Sequence, residues 1–145
     1  MKITLVTVGK IKESYLADAI EEYKKRLGRY CKLEILQVAD EKTPDNASAL
    51  LEEQIKDKEG ERILALIRAE AYVVALAIEG MMLTSEGLAE KIGRLGVDGV
   101  SHLVFIIGGS LGLSNDVLQR ADRIISFSAM TFPHQMMRVI LLEQI

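Results

Sequence analysis

The stretch Leu103-Val104-Phe105-Ile106-Ile107-Gly108-Gly109-Ser110-Leu111-Gly112-Leu113 decides the fold. Its first five residues are apolar with no polar alternate, the pattern of a strand that has no water-facing side. Glycines 108, 109 and 112 then turn the chain toward a short helical segment, Asn115 to Ala121. A strand covered on both faces belongs to a parallel sheet packed between helices, and the carboxyl edge of such a sheet is where ligands bind.

Working outward, strand and helix periodicities alternate to both ends of the chain. Lys2 to Val8 reads as a strand closed by Gly9. Leu16, Ile20, Tyr23, Leu27 and Tyr30 then mark one face of an amphipathic helix whose other face carries Glu21, Glu22, Lys24, Lys25 and Arg26. A strand from Leu33 to Val38, a loop over Asp40 to Asn46 and a helix from Ala47 to Leu66 follow. Tyr72 to Ala77 is an apolar strand. Thr84 and Ser85 are cap residues for a helix bearing Leu88, Ile92 and Leu95, which Gly96 to Gly99 ends. Ile124 to Phe127 is the fifth strand, and Pro133 to Ile145 the last helix, with Pro in its first turn. The expected class is α/β, one domain over residues 1–145, with a parallel sheet covered on both faces. From Met136 to Ile145, seven of ten residues are apolar, so this helix lies deep in the fold or is covered by another subunit.

With 145 residues, the chain is long enough for one sizeable core. Its 18 basic against 21 acidic residues give a net charge of −3, so composition offers no basic excess for gripping nucleic acid. The longest apolar run, the eight residues from Ala71 to Ile78, falls well short of the ~20 that span a bilayer. The first strand lacks the cleavage site of a signal peptide, so the expected location is cytoplasmic. Cys31 is the sole cysteine and reads as a small core hydrophobe. With only His102 and His134 beside it, a cysteine/histidine metal cage is excluded.

Two loops fall on the carboxyl edge. The glycine loop lacks a leading glycine for a dinucleotide fingerprint and the Gly-Lys-Ser/Thr of a phosphate loop, which leaves a tight turn or a binding loop of another kind. The second, Phe127-Ser128-Ala129-Met130-Thr131-Phe132-Pro133-His134, offers apolar walls in Phe127, Met130 and Phe132, and backbone groups near Ser128 and Thr131 to read a flat heterocycle. Taken alone, Met130 reads as core filling before it reads as a wall. His134 is either a base or a structural hydrogen-bonding residue. Arg138, within the apolar last helix, needs a partner such as a carboxylate or phosphate, in a structural or functional pairing. Lys24, Lys25, Arg26 and Arg29, with Lys10 and Lys12, form a basic cluster that is a solvated face or an RNA contact.

These loops, together with Met1-Lys2-Ile3 through Val8-Gly9-Lys10, Lys58-Glu59-Gly60-Glu61 and Phe105 to Ser110, resemble the RlmH family over the whole chain. These are bacterial pseudouridine N3-methyltransferases of large-subunit (23S) ribosomal RNA, in the SPOUT superfamily. The resemblance implies a C-terminal trefoil knot, a homodimer, S-adenosylmethionine as methyl donor, no metal, and a pseudouridine of 23S ribosomal RNA in the assembled ribosome as acceptor. Carried over by position, the donor contacts fall on Leu76, Gly108, Phe127, Ser128, Ala129, Met130, Thr131 and Phe132. Within this chain His134 is the nearest candidate base, the family's tail being the alternative source of one, and Arg138 is the candidate for holding a phosphate or the developing imide anion. Two departures stand out. Gly80-Met81 replaces a Gly-Lys frequent in the family, and the family's short tail, ending in a tyrosine and a histidine, is missing after Ile145. The expectation is therefore that donor binding lies within these residues while part of the RNA grip does not. Two rivals remain: a generic nucleotide-binding α/β enzyme and a non-catalytic dimeric ribosome-binding module.

Overall fold

The structure, a computed structural model, describes residues 1–128 and 133–145, and of His134 the backbone alone. The elements run β1 (Lys2–Val8), α1 (Ser14–Leu27), β2 (Lys32–Val38), α2 (Ala49–Leu64), β3 (Tyr72–Met82), α3 (Ser85–Val97), β4 (His102–Ile107), α4 (Asn115–Arg120), β5 (Arg123–Ser126) and α5 (His134–Gln144). The strands form one sheet in the order β2-β1-β4-β3-β5, with every pairing parallel. The α/β reading is correct.

Alternation along the strands sorts the core onto two faces. Ile3, Leu5, Leu103, Phe105 and Ile107 meet Leu27 of α1, Leu88 and Leu95 of α3, and Leu141 and Leu142 of α5. Val6, Val8, Val73, Val104 and Ile106 meet Ile63 of α2 and Val117 of α4. Leu5 lies opposite Ile35 of β2 and Phe105 of β4, so the middle of the sheet is dry on all sides. Removing the Phe105 ring, which is fully buried, would cost about 3–5 kcal/mol.

The starts of α2, α3 and α4 follow side chains that cap them. Ser48, Thr84 and Ser114 each accept a hydrogen bond from the backbone N–H three residues on, at 3.1, 2.9 and 3.3 Å. Each such cap contributes about 1 kcal/mol. Ser48 explains why α2 starts at Ala49, two residues later than its periodicity suggested. At the other end of α1, the helix stops at Leu27, so Tyr30 leaves the buried stripe and stands 82% exposed.

The largest departure is β3, which continues past its apolar run to Met82. Its partner supplies the reason. Ile125 of β5 pairs first with Leu76 and, after a register shift, again with Met81. Gly80 makes the close approach possible, since a Cβ there would stand 2.6 Å from the backbone of Ile125. The apolar last helix divides as well: Arg138, Leu141 and Leu142 are buried in the fold, while Val139 and Ile140 are half-buried and Met136 is exposed. Among the described residues, no helix is long and apolar enough to cross a membrane.

Candidate functional site

Parallel strands bring their carboxyl ends to one edge, and there β3, β4 and β5 open onto a cavity of about 770 Å³. Leu76 from β3, Gly108 directly after β4, and Phe127 and Ser128 after β5 all line it, so three separate stretches of sequence meet in one place. The volume lies within the range usual for small-molecule sites. Ala129, Met130, Thr131 and Phe132, together with the side chain of His134, lie outside the described residues.

The glycine loop is both a tight turn and a wall. Gly109 and Gly112 form an isolated bridge, with the Gly112 N–H donating to the Gly109 carbonyl at 3.1 Å. A Cβ on Gly108 would stand 2.8 Å from the backbone of Gly112 and 2.9 Å from the Leu113 side chain. Glycine is required there because the loop folds back on itself, independently of any ligand. On the other side of the cavity, the buried Ser126 hydroxyl donates to the Ser128 carbonyl at 2.9 Å and fixes the exit of β5.

Arg138 is 1% exposed and finds its partners in the backbone instead of a carboxylate. Its Nη2 donates to the carbonyls of Val8 and Gly9 at 2.7 and 3.1 Å, tying α5 to the end of β1. Nε and Nη1 are buried with no acceptor among the described residues. Burial pushes its pKa down. The cavity is lined by the neighbouring Met137, not by Arg138 itself.

Several neighbours of the site escaped the sequence reading. Lys56 of α2 and Glu79 of β3 bring opposite charges to the cavity wall, and Lys56 is ion-paired with Glu53 at 2.8 Å. Neither carries a motif; a helical lysine and a strand-end glutamate read as solvent-facing. Glu59 is only 5% exposed although it sits in a run of charges. Burial pushes its carboxyl above the usual range, the Glu41 N–H opposes that shift, Asp40 adds to it, Arg62 opposes it and the Glu41 carboxylate adds to it.

Other candidates lie elsewhere. The basic cluster is divided: Lys10 and Lys12 follow β1 on the carboxyl edge, whereas Lys24, Lys25, Arg26 and Arg29 belong to the amino edge, where the Lys32 N–H donates to the Met1 carbonyl; Arg26 there is occupied by Glu22 at 3.0 Å and by the Tyr23 ring. His102 begins β4 on that same edge and shares a 2.8 Å hydrogen bond with the Thr4 hydroxyl. Burial, then Lys2 and Arg68, push its pKa down. Cys31 is half-buried against the core, and burial pushes its thiol up, away from the reactive thiolate. Among the described residues, no group of three or more His, Cys, Asp or Glu side chains is arranged to hold a metal.

Comparison with known proteins places this geometry. The family described as "Predicted SPOUT methyltransferase" matches residues 1–145. The ribosomal RNA large subunit methyltransferase H of Bifidobacterium adolescentis is 70% identical over the whole chain, which covers 91% of that protein. Its namesakes in Bifidobacterium animalis subsp. lactis and Clostridium beijerinckii are 64% and 61% identical, with the same coverage. A match over every residue, on a parallel α/β sheet with a glycine-walled cavity at its carboxyl edge, leads to one conclusion: the chain belongs to the SPOUT methyltransferase family.

Proposed function

We propose that this chain acts as one SPOUT-like domain, residues 1–145, that methylates N3 of a pseudouridine in 23S ribosomal RNA within the assembled ribosome. S-adenosylmethionine is the donor, the homodimer is the working form and the cytoplasm the location. The observation that carries the reading is the convergence of Leu76, Gly108, Phe127 and Ser128 on one cavity, in a chain 70% identical to a ribosomal RNA methyltransferase. Family membership also implies a trefoil knot in the C-terminal segment.

The residues present fit the donor. Apolar walls from Leu76 and Phe127 suit a flat heterocycle, the backbone of the glycine loop offers donors and acceptors for its edge, and Ser128 lines the same wall. The same roles are assigned to Ala129, Met130, Thr131 and Phe132. S-adenosylmethionine supplies a methyl group on a positively charged sulfur. Transfer to N3 then depends mainly on holding the acceptor in line with that group. N3 is a weakly acidic imide nitrogen, so its proton leaves to a base, and His134 is assigned that task. A bound donor would supply the methyl group with its sulfur as leaving group, and the residues named here would hold N3 in line with it. Arg138 supports the step as a buried positive charge whose Nε and Nη1 have no acceptor among the described residues. The half-buried outer side of α5, with Val139 and Ile140, supplies the apolar surface for the dimer. The net charge of −3 fits a substrate recognised by shape and ribosomal surroundings more than by a basic patch.

The test is mass spectrometry of ribosomal RNA after incubating ribosomes with the chain and S-adenosylmethionine. One added methyl group on a 23S pseudouridine is expected; a donor-binding chain that leaves the RNA unmodified would favour the ribosome-binding module.

A further inference from the structure

We infer that Glu59 is a positioning residue for the methyl-donor cavity, acting with Gly60 to fix both ends of the glycine loop from α2. This rests on reading the cavity as the donor site. Lys58-Glu59-Gly60-Glu61 enters the resemblance as a motif without a task, and its burial pattern shows which half is used. Glu59 and Gly60 are buried, while Lys58 and Glu61 face water. Glu59 Oε1 stands 3.3 Å from the position a Cβ would take on Gly109, at the entry of the loop. A Cβ on Gly60 would stand 2.3 Å from Ser114 Oγ, at the exit. Ser114 is 1% exposed and caps α4. One turn of α2 therefore touches the loop where it begins and where it ends, and the intervening Ser110 to Leu113 line the cavity.

The carboxyl group itself calls for an explanation, because an apolar side chain would fill the same space without a desolvation cost. Its second oxygen, Oε2, accepts the Glu41 N–H at 3.0 Å. One turn along α2, Arg62 donates from Nη1 to the Ala39 carbonyl at 2.8 Å and from Nη2 to Glu41 Oε1 at 2.6 Å. Glu59 thus bridges two segments that are far apart in sequence, the exit of β2 and the glycine loop after β4. Without it, the Glu41 N–H loses its acceptor and the loop loses the wall behind Gly109.

Titration calorimetry with S-adenosylhomocysteine and single-turnover methylation of ribosomes at saturating donor test this on the full chain. Glu59→Ala should weaken binding about tenfold, the size of one lost buried hydrogen bond. Its rate at saturating donor should stay within about twofold, because the residue acts through the loop and not on the acceptor. Glu59→Gln keeps an oxygen for the Glu41 N–H and should restore affinity to within about twofold of the unsubstituted chain. Glu61→Gln, on the exposed side of the same motif, should change neither readout. Unchanged affinity in Glu59→Ala would overturn the proposal, and so would a folded Glu59→Gln that binds no better than Glu59→Ala. If the unsubstituted chain gives no binding heat, the donor reading beneath the proposal is what fails.

Discussion

Glu59 and Arg138 are buried charges that reach the same sheet edge from opposite faces, and they are satisfied differently. Glu59, on the α2 face, accepts a backbone N–H and has Arg62 one turn away. Arg138, on the α5 face, spends one nitrogen on the carbonyls of Val8 and Gly9, and its other two have no acceptor among the described residues. A buried donor left unpaired costs about 1–3 kcal/mol, and a charged one more. The two faces therefore divide the work. The α2 face holds the loop that walls the cavity, and the α5 face holds a buried charge with two nitrogens that find no acceptor among the described residues.

The glycine loop packs on the α2 face and walls the cavity, so disturbing it should have the largest effect. Gly108→Val forces a branched side chain against the backbone of Gly112 and the side chain of Leu113. Donor binding should disappear, and the melting temperature should fall as well, because the clash is internal. Calorimetry with S-adenosylhomocysteine beside a thermal melt checks both. Normal affinity would mean that the loop does not shape the site.

Arg138→Met separates the faces next. Methionine fills much of the same volume without charge but leaves the Val8 and Gly9 carbonyls without this donor, so a thermal melt accompanies the assay to separate lost stability from lost rate. Single-turnover methylation should drop about 100-fold, the scale of one lost electrostatic stabiliser, while donor affinity stays within about twofold. An unchanged rate would reduce Arg138 to a strap between α5 and β1.

The outer side of α5 gives a smaller effect. Ile140 is half-buried in the protomer. A lysine there would place a charge in the proposed dimer contact, so Ile140→Lys should raise the dimer dissociation constant at least about tenfold, or 1.4 kcal/mol. Light scattering across a dilution series reads this directly. A chain that is already monomeric at micromolar concentration removes the dimer from the proposal.

The comparison also shows what was legible in the sequence. Strand and helix order follows from local periodicity, and the parallel sheet from strands such as Leu103 to Ile107 that lack a polar side. Both properties are written within a few residues of each other. Arg138 announced itself too, as a charge in an apolar helix, although its partners proved to be carbonyls 129 and 130 residues away. Glu59 did not. In Lys56-Asp57-Lys58-Glu59-Gly60-Glu61-Arg62 it looks like any solvated helix face. Its burial depends on a glycine loop some fifty residues later in the chain. The extension of β3 to Met82 was hidden for the same reason, since β5 supplies the pairing. Long-range packing decides what local pattern cannot, and Lys56 and Glu79 at the cavity wall belong to that class.

The smallest expected effect is a pH-dependent difference in melting between Glu59→Gln and the unsubstituted chain. Burial is the main cause of the raised Glu59 pKa. Asp40 and the Glu41 carboxylate push in the same direction, and the Glu41 N–H and Arg62 push against it. A carboxyl whose pKa is higher folded than unfolded holds more protons in the native state, so its contribution falls as pH rises. Below the usual carboxylate range, about pH 4, both states are protonated and no penalty exists. As pH climbs from there to the raised native value, the unfolded chain ionises freely while the folded one resists. Stability is lost across that window and stays lost above it. Glutamine cannot ionise, so Glu59→Gln should melt a few degrees higher than the unsubstituted chain at pH 7, with the gap closing as pH approaches 4. Other titrating groups are common to both chains and cancel in the difference. A gap that does not change with pH would show that the carboxyl ionises as easily inside the fold as outside. The α2 face would then hold its buried carboxyl at no electrostatic cost, and the comparison with Arg138 would rest on geometry alone.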